Sequence, residues 1–278
     1  MNARFIRVTY RMFLRLIIIF VMASSLFPLI WMISTSLKPL SETMLWPPTI
    51  VPRRFTTDAF ITIFTASGIF RYFMNTAIYT LAGTAGSLLF STLAGYVFAK
   101  CQFKGRTVLF TIILATMMIP GQITLIPIFI TLKNLKLINT LFALIIPGLF
   151  DAFSIFLIRQ FAFGIPDELF DAARIDGAGE LFIFAKVFVP LCMPPILTLT
   201  VLGFMGRWND LFWPLLVAGD QSVMTLQLAL NNMVQSLYQT LWNELAAAML
   251  IAMLPVLALY IFFQRYFTQG IVLTGLKG

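Results

Sequence analysis

Runs of mostly apolar residues recur six times along the chain, near 13–35, 73–98, 108–130, 138–158, 187–217 and 243–263. A helix needs about 20 such residues to cross a bilayer. The pattern therefore predicts an all-α membrane protein with six transmembrane helices. Arg4, Arg7, Arg11 and Arg15 precede or open the first run. A signal peptide has the same charge order, but its apolar stretch is only about 7–15 residues. The run from Leu14 to Ile33 is longer, so a retained anchor helix is expected. Residues 36–72 contain Pro39, Pro47, Pro48 and Pro52 and read as an extended outer loop. Met117 to Gln122, with Pro120 and Gly121, reads as a kink in the third span, tolerated where neighbours satisfy the freed carbonyl. The expected organisation is an anchor helix with its outer loop over 1–70, a transmembrane core over 71–265 and a cytoplasmic tail over 266–278.

Composition agrees. The chain is 60% hydrophobic and 11% charged, with a mean hydropathy of +0.93. A soluble domain carries about 25% charged residues. Histidine is absent, which excludes His-ligated metals, Ser-His-Asp triads and histidine proton switches. Cys101 and Cys192 are far apart and read as small apolar residues. The net charge is +8, but no basic stripe with interleaved aromatics points to nucleic acid. With the N-terminus in the cytoplasm, 12 Lys and Arg fall in inner segments and 6 in outer ones, Arg207 lying within the fifth span. The positive-inside bias then places both termini in the cytoplasm.

The loop 159–186 is too polar for membrane, and five of the 11 acidic residues lie between Asp167 and Glu180. Its centre reads IPDELFDAARIDGAGE. Pro166 suits a first helical turn, and Asp167 and Glu168 favour the helix N-terminal dipole. Leu169, Ala172 and Ala173 fall at i, i+3 and i+4 and predict one small apolar face. Gly177 is a natural C-terminal cap. A short helix, a glycine turn and a second helix are expected. The residues alone leave two readings: a solvated amphipathic loop, or a surface on which a partner docks closely.

Asp171-Ala172-Ala173-Arg174-Ile175-Asp176-Gly177-Ala178, followed by Val189-Pro190-Leu191, resembles the EAA motif of ABC importer permeases. Asp171 stands for the usual Glu and Val189 for the usual Leu. Further segments resemble the sugar-importing branch, of the maltose and glycerol-phosphate type. They are Pro28-Leu29-Ile30-Trp31 with Ser36-Leu37-Lys38, Asn75-Thr76, the run WNDLFWPL from Trp208 to Leu215, and Gln264-Arg265-Tyr266-Phe267 with Gly270 and Gly275 to Gly278. The resemblance implies a type I ABC importer permease fold with a cytoplasmic coupling helix. It implies Glu168, Leu169, Asp171, Ala172, Ala173, Arg174, Asp176 and Gly177 as the ATPase-coupling residues. It also implies a multi-pass inner-membrane subunit that imports a sugar beside a second permease subunit (a heterodimer), two ATP-binding subunits and an external solute-binding protein. No Gly-x-x-x-x-Gly-Lys-Ser/Thr phosphate loop occurs. The chain is thus expected to bind no cofactor, and ATP and Mg would be used by the ATPase partners.

Polar groups at membrane depth are costly and commonly functional. Asn75, Gln122, Asp151, Arg207, Asn209, Asp210 and Glu244 are such groups. Asn75, Gln122, Trp208, Asn209 and Asp210 are the candidate substrate-pathway residues. An aromatic face beside an amide and a carboxylate suits a sugar, whereas an interfacial aromatic anchor with a helix-ending Asn-Asp is the structural alternative. A stand-alone secondary transporter or channel would explain the spans but not the patterned loop. A membrane-embedded enzyme lacks a metal kit or nucleophile motif.

Overall fold

The computed structural model describes residues 3–235 and 240–275, with side chains for 11–235 and 240–264. Leu276 to Gly278, and the side chains of 265–275 on which the expected C-terminal tail rests, lie outside the described residues. The α-helices of the described residues run in the order α1 (Ala3–Ser36), α2 (Leu40–Thr43), α3 (Asp58–Thr65), α4 (Ile69–Lys100), α5 (Arg106–Thr116), α6 (Gly121–Asn134), α7 (Leu141–Ile145), α8 (Ala152–Ala162), α9 (Glu168–Ile175), α10 (Glu180–Ile183), α11 (Val189–Leu191), α12 (Met193–Trp208), α13 (Phe212–Val217), α14 (Leu226–Val234) and α15 (Trp242–Gly275).

Four stretches are long and apolar enough to cross a membrane: Arg11–Ser36, Ile69–Lys100, Leu141–Ala162 and Trp242–Gln264. Two bent pairs make six when each is one span: α5 with α6 at 99°, and Glu180–Leu191 with α12 at 78°. The third span is therefore broken, beyond the kink expected. Pro120 caps α6, and its missing N–H and ring prevent α5 from continuing through it. The fifth span breaks at Cys192, followed by Pro194 and Pro195 in the first turn of α12. A π-helical turn, Phe184–Phe188, runs just ahead of Pro190. The fifth apolar run also ends sooner than its hydropathy implies, because α12 stops at Trp208.

The chain divides into two compact units, residues 1–70 with 230–258, and residues 71–229 with 259–278. In the first, the 36–72 loop is more ordered than an extended connection, since it contains α2 and α3. Glu42 organises it by accepting from the N–H of Arg53 at 2.8 Å, the N–H of Arg54 at 3.3 Å and the hydroxyl of Thr49 at 3.0 Å. Lys38 donates to the Thr49 carbonyl and lies 5.1 Å from the Trp31 ring centre. Asn243 donates to the Lys38 carbonyl at 3.4 Å.

The second unit has two apolar centres. One gathers Tyr96, Ile158, Phe170, Ile183 and Phe188, and the other Tyr79, Leu132, Leu144, Val217 and Leu228. Small residues let α4 approach its neighbours closely. A Cβ at Gly86 would fall 2.5 Å from Leu149 Cδ2, and one at Gly95 2.5 Å from Ile158 Cγ2.

Candidate functional site

The 163–179 loop is held to the transmembrane helices by one aromatic side chain and one ammonium. Phe170, on α9, is 1% exposed and sits 6.4 Å from the Tyr96 ring and 6.3 Å from that of Phe188. Lys100, the last residue of α4, donates to the Ile165 carbonyl at 2.7 Å and to the Asp167 carboxylate at 2.6 Å. The same ammonium lies 4.9 Å from the centre of the Phe170 ring.

Arg174 closes the other end. Its guanidinium donates to Asp171 at 2.9 Å and to Glu180 at 2.8 Å, while the Tyr96 hydroxyl donates to the second Glu180 oxygen. The hydrogen bond to Glu180 holds the Arg174 pKa above its usual range. The helix ends in a Schellman motif. Gly177 N–H donates to the Arg174 carbonyl and Ala178 N–H to the Ala173 carbonyl, both at 3.0 Å. Gly177 has φ +80°, a conformation that side chains with a Cβ rarely adopt.

This geometry corrects the predicted apolar face. Ala173 packs inward with Phe170 and is not on the open side. Leu169, Ala172 and Ile175 are exposed, Ile175 at 86%, as are Leu181 and Phe182 on the following helix. Glu168, Asp171 and Asp176 are exposed around them. The loop thus has a buried aromatic anchor on one side and an apolar, acid-rimmed surface on the other. Sequence reasoning missed Phe170 and Ile175. The i, i+3 spacing of Phe170 with Ala173 was the available signal.

The pathway candidates gather where the start of α4 meets the end of α12, except Gln122. Asn75, 7% exposed, donates to the carbonyls of Ser222 at 2.9 Å and Met224 at 3.0 Å. Trp208 is 2% exposed, stacked on Phe204 and edge-on to Phe73. Asn209 donates to the Met205 carbonyl at 2.9 Å, and its side chain is exposed. Asp210 accepts from the Tyr79 hydroxyl at 2.9 Å and from Trp213 N–H at 3.3 Å. The expectation that Trp208 offers an open ring to a solute is corrected, because its faces are covered. The run WNDLFWPL builds a corner: Trp208 is its buried pin, and Asp210 links α13 to α4. Gln122 is exposed in the first turn of α6.

Comparisons with known proteins agree with this architecture. The family described as binding-protein-dependent transport system inner membrane component matches residues 87–272. The arabinooligosaccharides transport system permease protein AraQ of Halalkalibacterium halodurans is 37% identical over 93% of this chain and 94% of its own length. The lactose transport system permease protein LacG of Rhizobium radiobacter is 33% identical over 89% and 90%. A solved chain of a bacterial ABC transporter involved in the import of the acidic polysaccharide alginate superposes with a TM-score of 0.85 at 26% identity. That superposition covers 96% of this chain and 99% of the solved one. The chain belongs to the family of binding-protein-dependent transport system inner membrane components: it is a multi-pass membrane permease that works with other components of an ABC importer.

Proposed function

We propose that this chain is one of two different permease subunits of a sugar importer, driven by two ATP-binding subunits and fed by an external solute-binding protein. ATP and Mg act in the ATP-binding subunits, and this chain binds neither. It lies in the inner membrane with both termini in the cytoplasm, as the 12-to-6 distribution of basic residues favours. The relatives' names support a sugar, since arabinooligosaccharides and lactose head them.

The carrying observation is the two-sided α9. Phe170 ties it to the transmembrane helices, while Leu169, Ala172 and Ile175 stand open. A force applied to the open side is passed through Phe170 to Tyr96 on α4 and to Phe188. Glu168, Asp171 and Asp176 rim the docking surface, Arg174 braces it, Ala173 seats it, and Gly177 turns the chain beneath it. Gln122 and Asn209 border the solute path, and Asn75, Trp208 and Asp210 hold its wall. Proteoliposomes with the full importer test the reading, with arabinotriose, lactose and glycerol 3-phosphate as solutes. ATP-dependent uptake of one sugar is expected in the wild type and not in Ala172→Trp. Uptake by the purified chain alone, without ATP, would overturn the reading.

A further inference from the structure

We propose that a polar, partly open cavity lined by α4, α8 and α12 is a solute-binding site within this subunit, taking one sugar ring by adjacent hydroxyls. This rests on the sugar-importer reading. The cavity measures about 170 Å³, and its polar lining is Thr84, Ser87, Asp151, Ser154 and Arg207, with Phe153 at one side. Three of its polar residues come from the middle of spans, Asp151 in Leu141–Ala162 and Thr84 and Ser87 in Ile69–Lys100, while Arg207 comes from the last turn of α12. Polar groups at that depth are expensive to keep and usually mark a substrate path.

Four observations point to a ligand. First, space for the Arg207 side chain is reserved by glycines on separate segments. A Cβ at Gly83 would meet Arg207 Nε at 2.8 Å, and one at Gly148 or Gly203 would lie 3.2 Å from its terminal nitrogens. Second, that side chain is aimed but not saturated. It donates to the carbonyls of Gly148 at 2.6 Å and Gly203 at 3.3 Å, and a guanidinium has five N–H groups. Third, Asp151 and Arg207 both line the cavity, yet the ion pairs among the described residues do not include them. Asp151 Oδ2 accepts from the Ser154 N–H and hydroxyl, which leaves Oδ1 for another donor. Fourth, Thr84 is 6% exposed, and its hydroxyl has no hydrogen-bond partner.

The donor set selects the ligand class. A carboxylate only accepts and a guanidinium only donates, whereas each sugar hydroxyl does both. Neighbouring hydroxyls can therefore bridge Asp151 and Arg207 and satisfy Thr84. Phe153 offers an apolar side for the C–H face of the ring.

The test uses the full importer in proteoliposomes, with Cys101→Ser and Cys192→Ala as background. Ser87→Cys places a thiol in the cavity, to be labelled with 2-sulfonatoethyl methanethiosulfonate. Arabinotriose or lactose, whichever the background takes up, is expected to slow labelling about tenfold. Thr84→Val, nearly isosteric, is expected to raise the half-saturating concentration of that sugar about tenfold, the usual order for a lost buried hydrogen bond. Asp151→Asn should cut uptake further while keeping the α8 cap, since Asn caps as well as Asp. Unprotected labelling with normal uptake by Thr84→Val would overturn this site and leave the importer reading standing. Uptake of neither sugar, without protection, would overturn the sugar reading and the site with it.

Discussion

Glu42 shows how one side chain can organise a loop. Its carboxylate accepts from two backbone N–H groups and one hydroxyl, and its pKa is lowered, chiefly by the Arg53 N–H. A group whose folded pKa is depressed stabilises the fold above its unfolded value, and that contribution is lost as pH falls through the folded value. The loop 37–57 should therefore loosen in acid, below the ordinary glutamate range, and Glu42→Gln should loosen it already at pH 7. Protease nicking of the loop against pH checks this, and equal nicking of variant and wild type would contradict it. Gly177 is the contrasting case. Nothing lies within 4 Å of a Cβ built there, so its requirement is backbone conformation alone. Replacing it by Val should cost roughly 1–2 kcal/mol through the left-handed φ, and Asn should be tolerated better. Hydrogen exchange across 168–180 should rise in the order Gly, Asn, Val.

At the scale of elements, α9 separates two roles that the sequence placed on one face. Ala173 packs inward, whereas Ala172 is open. Ala173→Trp should therefore disturb the loop's own packing, at about 1–3 kcal/mol for overpacking. Ala172→Trp should leave the loop folded and keep the ATP-binding subunits at a distance. Copurification of those subunits distinguishes the two. The Ala172 variant should lose them with unchanged hydrogen exchange in the loop, and the Ala173 variant should show faster exchange there. The spans were legible because bilayer thickness fixes their length, and the loop was legible because Pro166, the acids and Gly177 punctuate a helix. The breaks were less so. Pro120 reads in the sequence as a kink but stands at a 99° bend, because hydropathy measures burial in lipid and not direction. The fate of Trp208 was hidden for a related reason. An exposed ring and a buried one look alike in sequence, and only Phe73 and Phe204, brought in by folding, decide it.

At the scale of the whole chain, the proposed orientation rests on charge. Inserting a helix with its basic flank inside is favoured, and the bias acts through short loops. The segments 99–107 and 159–186 carry Lys100, Lys104, Arg106, Arg159, Arg174 and Lys186, and four arginines lie in the first turns of α1. Lys100 and Arg106 also fix the end of α4: Lys100 donates to Ile165 and Asp167, and Arg106 to the carbonyls of Phe98, Ala99 and Cys101. The charges on which the proposed orientation rests thus also close a helix end. Single cysteines should react with an impermeant thiol reagent from outside at Lys133 and Gln235, and from inside at Lys104 and Asp176. Lys133 is a better reporter than Lys136, whose φ of +56° makes substitution there less neutral. Native Cys101 must be replaced first, since it is partly exposed. Labelling of Lys104→Cys and Asp176→Cys from outside would reverse the orientation and place α9 beyond reach of any cytoplasmic ATPase.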